Sequence, residues 1–384
     1  MGGRVKPGHD GLGRALLAPS QSGRAMSVSA FDHPILGALL GDAETARLFD
    51  FEADLAAMLA FETALAEAEA ALDLIPAEAA ARIGEVCRHF APDRARLAAG
   101  VARDGVVAPA LVALLREAVG APHAAHVHRG ATSQDVIDTS LTIRLKSVCA
   151  LLEARLGGLI ESLGALAARD GAIPLMAHTR MQRALPFTAA DKLKTWREPL
   201  ERALARLAEL KPRLLVVQFG GPVGTRGDLD GKGDAVAAEL ARRLGLGAAP
   251  CWHAERDAIG EFAAWLSLVA GALGKIGQDA ALMAQNEVGD LRLAGGGASS
   301  AMAHKVNPVG AEVLVALARF SAGQLGTLHQ ALVHENERSG AAWTLEWLVL
   351  PPMTAATAAG LRLAATLCEG MSFVGPAKEE TRGT

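Results

Sequence analysis

Apolar residues recur along most of this chain at spacings of three and four, the period of helices that bury one face. Asp42 can cap a helix beginning "AETARLF", and the pattern continues through "EADLAAMLAFETALAEAEAALDL". Pro76 suits the first turn of the next helix, and "DRARLAAGVARDG" and "PALVALLREAVG" add two more that stop at Gly105 and Gly120. The helices then lengthen. One runs from about Ser133 to Asp170, a second from about Phe187 to Leu210, and a third begins near Asp257. A fourth starts at about Val309 and reaches the 330s, and a last pair extends past Leu345. Such helices exceed the usual globular length and need partners along their whole extent. The expected fold is all-α, an elongated bundle of long helices.

This pattern divides the chain into four parts. Residues 1–26 are rich in Gly, Pro and Arg without a hydrophobic stretch, so a disordered extension is expected there and not a secretory leader. Residues 27–120 form an N-terminal helical domain and 121–345 the central bundle. Residues 346–384 are expected to be a reduced C-terminal helical segment.

Composition sharpens the picture. Hydrophobic residues make up 51% of the chain and aromatics only 4%, an Ala/Leu-rich profile of closely packed helices. Small core side chains bury little area each, so association into an oligomer is expected. The net charge of −4 gives no basis for nucleic-acid binding. The most apolar segment, "FAAWLSLVAGALG", is shorter than a membrane span, and a cytoplasmic protein is expected. Cys87, Cys149, Cys251 and Cys368 fit no metal or disulfide spacing and are expected to be buried free thiols.

Three polar loops interrupt the long helices. In "HRGATSQDVIDTS", Thr132, Ser133 and Gln134 stand where a long helix starts, and hydroxyls beside free backbone N–H groups make a cradle for a carboxylate. Ser133 could equally be a plain helix cap. In "AHTRMQRALPFT", His178, Thr179, Arg180, Gln182 and Arg183 crowd a connection between two helices. In "GGGASSAMAHKVNP", Gly295–Gly297 supply flexibility, Ser299 and Ser300 hydroxyls, Lys305 a charge and Asn307 an amide. That composition fits a mobile lid over a bound anion. A nucleotide cradle is disfavoured because no strand precedes the glycines and no GK[ST] follows. "HAAHVH" (His123, His126, His128) has no carboxylate beside it in the sequence, and no metal is expected. "VGTRGDLDGKGD" (Asp228, Asp230, Asp234) is similar to a calcium loop, but Lys232 occupies a ligand place.

Together the loops resemble the fumarase/aspartase superfamily. Ser299, Ser300, Met302, Lys305, Asn307 and Pro308 fall in register with its GSSxMPxKxNP pattern. "TSQDVIDT" resembles its first conserved region, "HTRMQRALPFT" its second, and "GGPVGT" (Gly220 to Thr225) its GAVGT turn. The resemblance implies a homotetramer whose central bundle draws helices from all four subunits, with each active site assembled from three chains. It implies elimination or addition next to a carboxylate through an aci-carboxylate intermediate, with no metal or organic cofactor. On that resemblance Ser299 moves the carbon-bound proton, and Lys305 and Asn307 bind the substrate carboxylate.

One departure bears on the reaction. Where the family pattern reads T-H-x-Q, this chain has Thr179-Arg180-Met181-Gln182. Arg180 replaces a histidine that helps protonate the leaving group. Amines and hydroxide need that proton, whereas a carboxylate leaves without it. Arginine can instead hold a carboxylate by two hydrogen bonds. Within the superfamily this points to lactone-forming cycloisomerisation of a tricarboxylate, as in protocatechuate breakdown. Arg180, Lys305 and Arg338 are the expected cations, with His304 and Arg183 behind them, although Arg338 could instead pair with Glu335 or Glu337. The alternatives are an adenylosuccinate-lyase type, which wants the missing acid, and an inactive structural relative, which has no use for a mobile lid. Ala303 stands where the family pattern has proline, which is expected to loosen the loop.

Overall fold

The computed structural model describes residues 29–227, 229–294, 296–298 and 306–375. The extension assigned to residues 1–26 lies outside these, as do Ser299, Ser300, His304 and Lys305.

The first helices are short and individually capped. After α1 (Gly37–Leu40), the Asp42 carboxylate accepts from Thr45 N–H at 2.9 Å to start α2 (Ala43–Leu48). Asp50 does the same for Ala53 at 2.8 Å at the head of α3 (Phe51–Ala71). Then come α4 (Ala77–His89), α5 (Arg94–Asp104) and α6 (Ala108–Val119). Gly105, at φ 74°, ends α5 in the left-handed conformation.

The long helices follow. These are α7 (Ser133–Asp170), α8 (Ala189–Leu214), the shorter α9 (Gly233–Leu244), α10 (Asp257–Met283), α11 (Val309–Gln330) and α12 (Gly340–Glu369). Buried Leu145, Cys149, Leu152, Leu156, Leu159, Leu163 and Leu166 of α7 alternate at four and three residues. Leu193, Trp196, Leu200, Ala203, Leu207, Leu210 and Leu214 of α8 do the same, a heptad seam that suits long antiparallel neighbours. On α10, a Cβ at Gly274 would lie 2.5 Å from the Ala318 Cβ and one at Gly277 2.4 Å from the Ala311 carbonyl oxygen. Glycine there lets α10 and α11 approach at backbone distance. Helices α10 and α12 are long and apolar enough to cross a membrane, yet the most apolar window of each is 61% buried within the fold. They are core helices of the bundle.

Two findings depart from the helical pattern. The connection after α7 is a two-stranded antiparallel hairpin, β1 (Pro174–Thr179) and β2 (Gln182–Thr188). Residues past Leu345 continue one helix, α12, through Pro351 and Pro352. Two further small sheets lie among the described residues. β3 (Leu291–Leu293) pairs with β6 (Met371–Phe373), and β4 (Gly297–Ala298) with β5 (Val306–Asn307).

The bundle helices share one core. A second core unites α3 to α6 with Val136 of α7, with Val217 and Phe219, and with α9. At the junction of the two cores sits a buried charge network. Arg256 Nη1 donates to Asp138 at 2.6 Å, and its Nη2 donates to Glu346 at 2.6 Å. Trp343 Nε1 also donates to Asp138, at 3.0 Å. Burial works against the Glu346 charge, but Arg256 and His334 hold its carboxyl below the usual range. The network fastens the heads of α7, α10 and α12 together. Arg256→Met would leave two buried carboxylates facing each other, so the expected loss is about 3–5 kcal/mol. Urea unfolding checks this, and an unchanged midpoint would show that the network does not hold the helix heads.

Candidate functional site

The bundle sorts the polar loops into two groups at its two ends. Helix α7 has 38 residues and at 1.5 Å per residue spans about 57 Å. Its N-terminus carries Thr132, Ser133 and Gln134, and the hairpin with Arg180 follows its C-terminus. Helices α8 and α10 run back and forth beside it. The "GGPVGT" turn, His253 and Arg256 therefore lie near the head of α7, while residues 290–294, 296–298 and 306–308 lie near its tail.

At the head of α7 the organising group is Asp135. Its carboxylate accepts from Gly220 N–H and Gly221 N–H, both at 2.9 Å, and from Thr132 N–H at 3.0 Å. His253 Nε2 lies 2.8 Å from the same carboxylate. The first loop and the glycine turn also meet directly, since a Cβ at Gly221 (φ 70°) would lie 2.9 Å from the Gly130 carbonyl oxygen. Arg338 is exposed and donates to the Pro222 carbonyl at 3.1 Å, and it forms no ion pair with Glu335 or Glu337. This end therefore joins the first loop, the glycine turn and Arg338.

Thr132 occupies the cap position of α7, and Ser133 is its first helical residue. Both are half-buried beside the turn. Gln134 is fully buried, and its amide donates to the His253 carbonyl at 2.9 Å and to Asp138 at 3.1 Å. Its bonds point into the protein. His128 lies 2.5 Å from Glu62, a carboxylate 66 positions away that the local sequence does not reveal. Among the described residues no three potential metal ligands gather.

At the tail of α7 the hairpin turns through Arg180 and Met181, at φ 49° and 65°. With Thr179 opposite Gln182, this is a two-residue turn of the kind that asparagine and glycine normally fill. Left-handed backbone at two long side chains costs about 1–2 kcal/mol per residue. Such strain collects where a side chain must be presented in one direction. Thr179, Arg180, Gln182 and Arg183 are all exposed, and Met181 and Leu185 are 75% and 73% exposed. Arg183 pairs across the hairpin with His178, and both act on Asp290. Burial raises the Asp290 carboxyl, and His178, Arg183 and Lys192 oppose that shift.

Asn307 sits in β5 opposite Gly297. A Cβ at Gly296 would lie 2.2 Å from Val306 Cγ1 and one at Gly297 2.6 Å from Val309 Cγ2. These two glycines answer to close packing at the base of the loop as well as to flexibility. A cavity of about 310 Å³ elsewhere is lined by Asp54, Ile137, Leu141, Arg144, Trp347 and Leu350. Arg144 is paired with Asp54 at 2.9 Å, so that cavity offers a polycarboxylate little positive charge.

The sequence singled out the first loop and the turn but assigned no role to Asp135 or His253. Thr132 followed three positions later by an acid is a capping signal that marks Asp135. His253 stands alone between helices and carries no comparable mark. Burial disfavours a charged His253, yet Asp135 and Cys251 push it up to about 9, above its ordinary 6.5. A raised histidine stabilises the fold fully below pH 6.5 and loses that contribution as pH rises through 9. Asp135→Asn should therefore flatten the fall in thermal midpoint between those pH values relative to the unsubstituted chain. Parallel curves would remove the Asp135–His253 pair from the account.

With this geometry, comparison with known proteins is informative. The sequence profile of a family described as "Lyase" matches residues 41–321. The 3-carboxy-cis,cis-muconate cycloisomerase of Pseudomonas aeruginosa is 44% identical over 84% of this chain and 72% of its own length. The Pseudomonas putida enzyme of that name is 40% identical over 84% of this chain and 78% of its own. The crystal structure of the 3-carboxy-cis,cis-muconate lactonizing enzyme from Pseudomonas putida superposes with a TM-score of 0.83 at 40% identity, covering 88% of this chain and 77% of that one. Long-helix architecture, loop motifs and relatives agree, and the chain belongs to the lyase family of the fumarase/aspartase superfamily.

Proposed function

We propose that this chain lactonises 3-carboxy-cis,cis-muconate to 4-carboxymuconolactone, as a soluble cytoplasmic enzyme of protocatechuate breakdown. The observation that carries the reading is Arg180 on a strained hairpin tip, where the superfamily pattern has a proton-donating histidine. The similarity to relatives named for this reaction supports it.

One carboxylate oxygen of the substrate bonds to an alkene carbon, and the π pair moves into the neighbouring carboxylate as an aci-carboxylate. Ser299 delivers the proton to carbon, and Lys305 and Asn307 steady the charge that develops. Thr132 and Ser133 at the head of α7, with Arg338 beside them, take further carboxylates. Arg180 grips one by two hydrogen bonds and orients it for attack. Atoms and electrons balance within the substrate and one transferred proton.

Residues at both ends of α7 are needed, and one chain holds those ends about 57 Å apart. The active site is therefore built between subunits of a homotetramer, with the hairpin of one chain reaching the α7 head of another. Exposed Met181 and Leu185 suit the hairpin to such a contact.

An ultraviolet assay following loss of the conjugated diene tests the reaction, with adenylosuccinate and argininosuccinate run in parallel. Turnover of the tricarboxylate alone is expected, and activity only on a succinyl-amine would overturn the reading. Arg180→Ala should lower kcat/KM about 10- to 100-fold, the worth of a charged hydrogen-bond pair. Ser299→Ala should cut kcat by about 10²- to 10⁴-fold with little change in binding. Near-normal turnover in steady-state kinetics would remove either residue from its role.

A further inference from the structure

Cys251 stands apart from the other cysteines. Cys87, Cys149 and Cys368 are buried, and burial pushes their thiols up to about 11, 12 and 12. Thiols held there are poor nucleophiles near neutral pH. Cys251 is only partly buried, and it neighbours His253: a Cβ at Gly220 would lie 2.4 Å from Cys251 Sγ and 3.0 Å from His253 Cε1. His253 is 3% exposed and lies 2.8 Å from the fully buried Asp135. With His253 raised to about 9, its ring carries a proton near neutral pH. An imidazolium beside a thiol makes the sulfur a better nucleophile, and a carboxylate behind the ring holds it in place. The sulfur also rests on the glycine turn. A Cβ at Gly220 would lie 2.4 Å from Cys251 Sγ, and one at Gly224 3.3 Å.

We propose that Cys251, His253 and Asp135 form a nucleophilic thiol site that adds to small activated alkenes conjugated to a carbonyl or carboxylate. The Cys251 sulfur bonds to the β-carbon, and the π pair moves to the conjugated carbonyl oxygen. The proton that the thiol gives up is replaced by one delivered to the α-carbon, so the S–H and π bonds break and an S–C and a C–H bond form. Nothing leaves and no oxidant is consumed. Asp135 offsets the imidazolium charge before the step and fixes the ring during it. Nothing in the lactonisation uses this sulfur, so the site is separate from that chemistry while lying against the same turn.

The test exposes the native full-length protein to a small excess of N-ethylmaleimide, quenches at timed intervals and follows all four cysteines by peptide mass spectrometry. Cys251 is expected to label at least about tenfold faster than Cys87, Cys149 and Cys368. His253→Gln, with its fold checked by circular dichroism, should slow labelling of Cys251 by a similar factor. Labelling of Cys251 no faster than the buried thiols would overturn the proposal, and this arm needs no variant to fold. A fast Cys251 that is indifferent to His253→Gln would also overturn it, because the thiol would then be merely accessible.

Discussion

An unbroken helix of 38 residues is a strut, and α7 imposes its length on everything else in this protein. Its heptad seam packs against α8, and α10, α11 and α12 pack alongside in alternating directions. Each connection between long helices must then fall at one end of the bundle or the other. Polar residues cannot be spared from the core in between, so the chemistry collects at the two ends. On the proposed function, the distance between the ends makes a single chain an incomplete enzyme.

Each end is built on its own logic. At the head of α7, a fully buried carboxylate, Asp135, satisfies three backbone N–H groups and a histidine at once. It converts a glycine-rich turn into a fixed wall beside the helix N-terminus. One helical turn on, Asp138 fastens α10 and α12 through Arg256 and Trp343. This end is rigid because its buried charges are paired. The tail end is the opposite, an exposed hairpin with two residues in left-handed backbone beside a glycine-based loop. In the proposed assembly, a rigid cradle and a projecting arm from different subunits are complementary parts of one site.

The sequence shows the long helices well because apolar periodicity accumulates over many turns. The limits of α7 and the start of α10 read directly from Ser133, Asp170 and Asp257. The motif loops are equally legible, because their residue types break the helical pattern. Other features depend on tertiary context. The hairpin at 174–188 is short, and its turn lacks the asparagine or glycine that would announce it. The pairing of α9 with the N-terminal helices rests on contacts across more than a hundred residues. The difference between Cys251 and the other cysteines is one of neighbours, which spacing alone cannot express. Gly296 and Gly297, which the sequence marks for flexibility, are also sites of close packing.

The central claim is that one active site joins the α7 head of one subunit to the hairpin of another. Intersubunit complementation measures this directly. Arg338→Ala disables the head end and Arg180→Ala the hairpin end. The two variants are unfolded together, refolded at equal ratio and assayed for loss of the muconate diene. Sites drawing their ends from different chains should include some with both arginines intact, and activity should return to roughly a quarter of that of the unsubstituted protein. A mixture no more active than the average of the two separate variants would contradict the account and place both ends of each site in one chain.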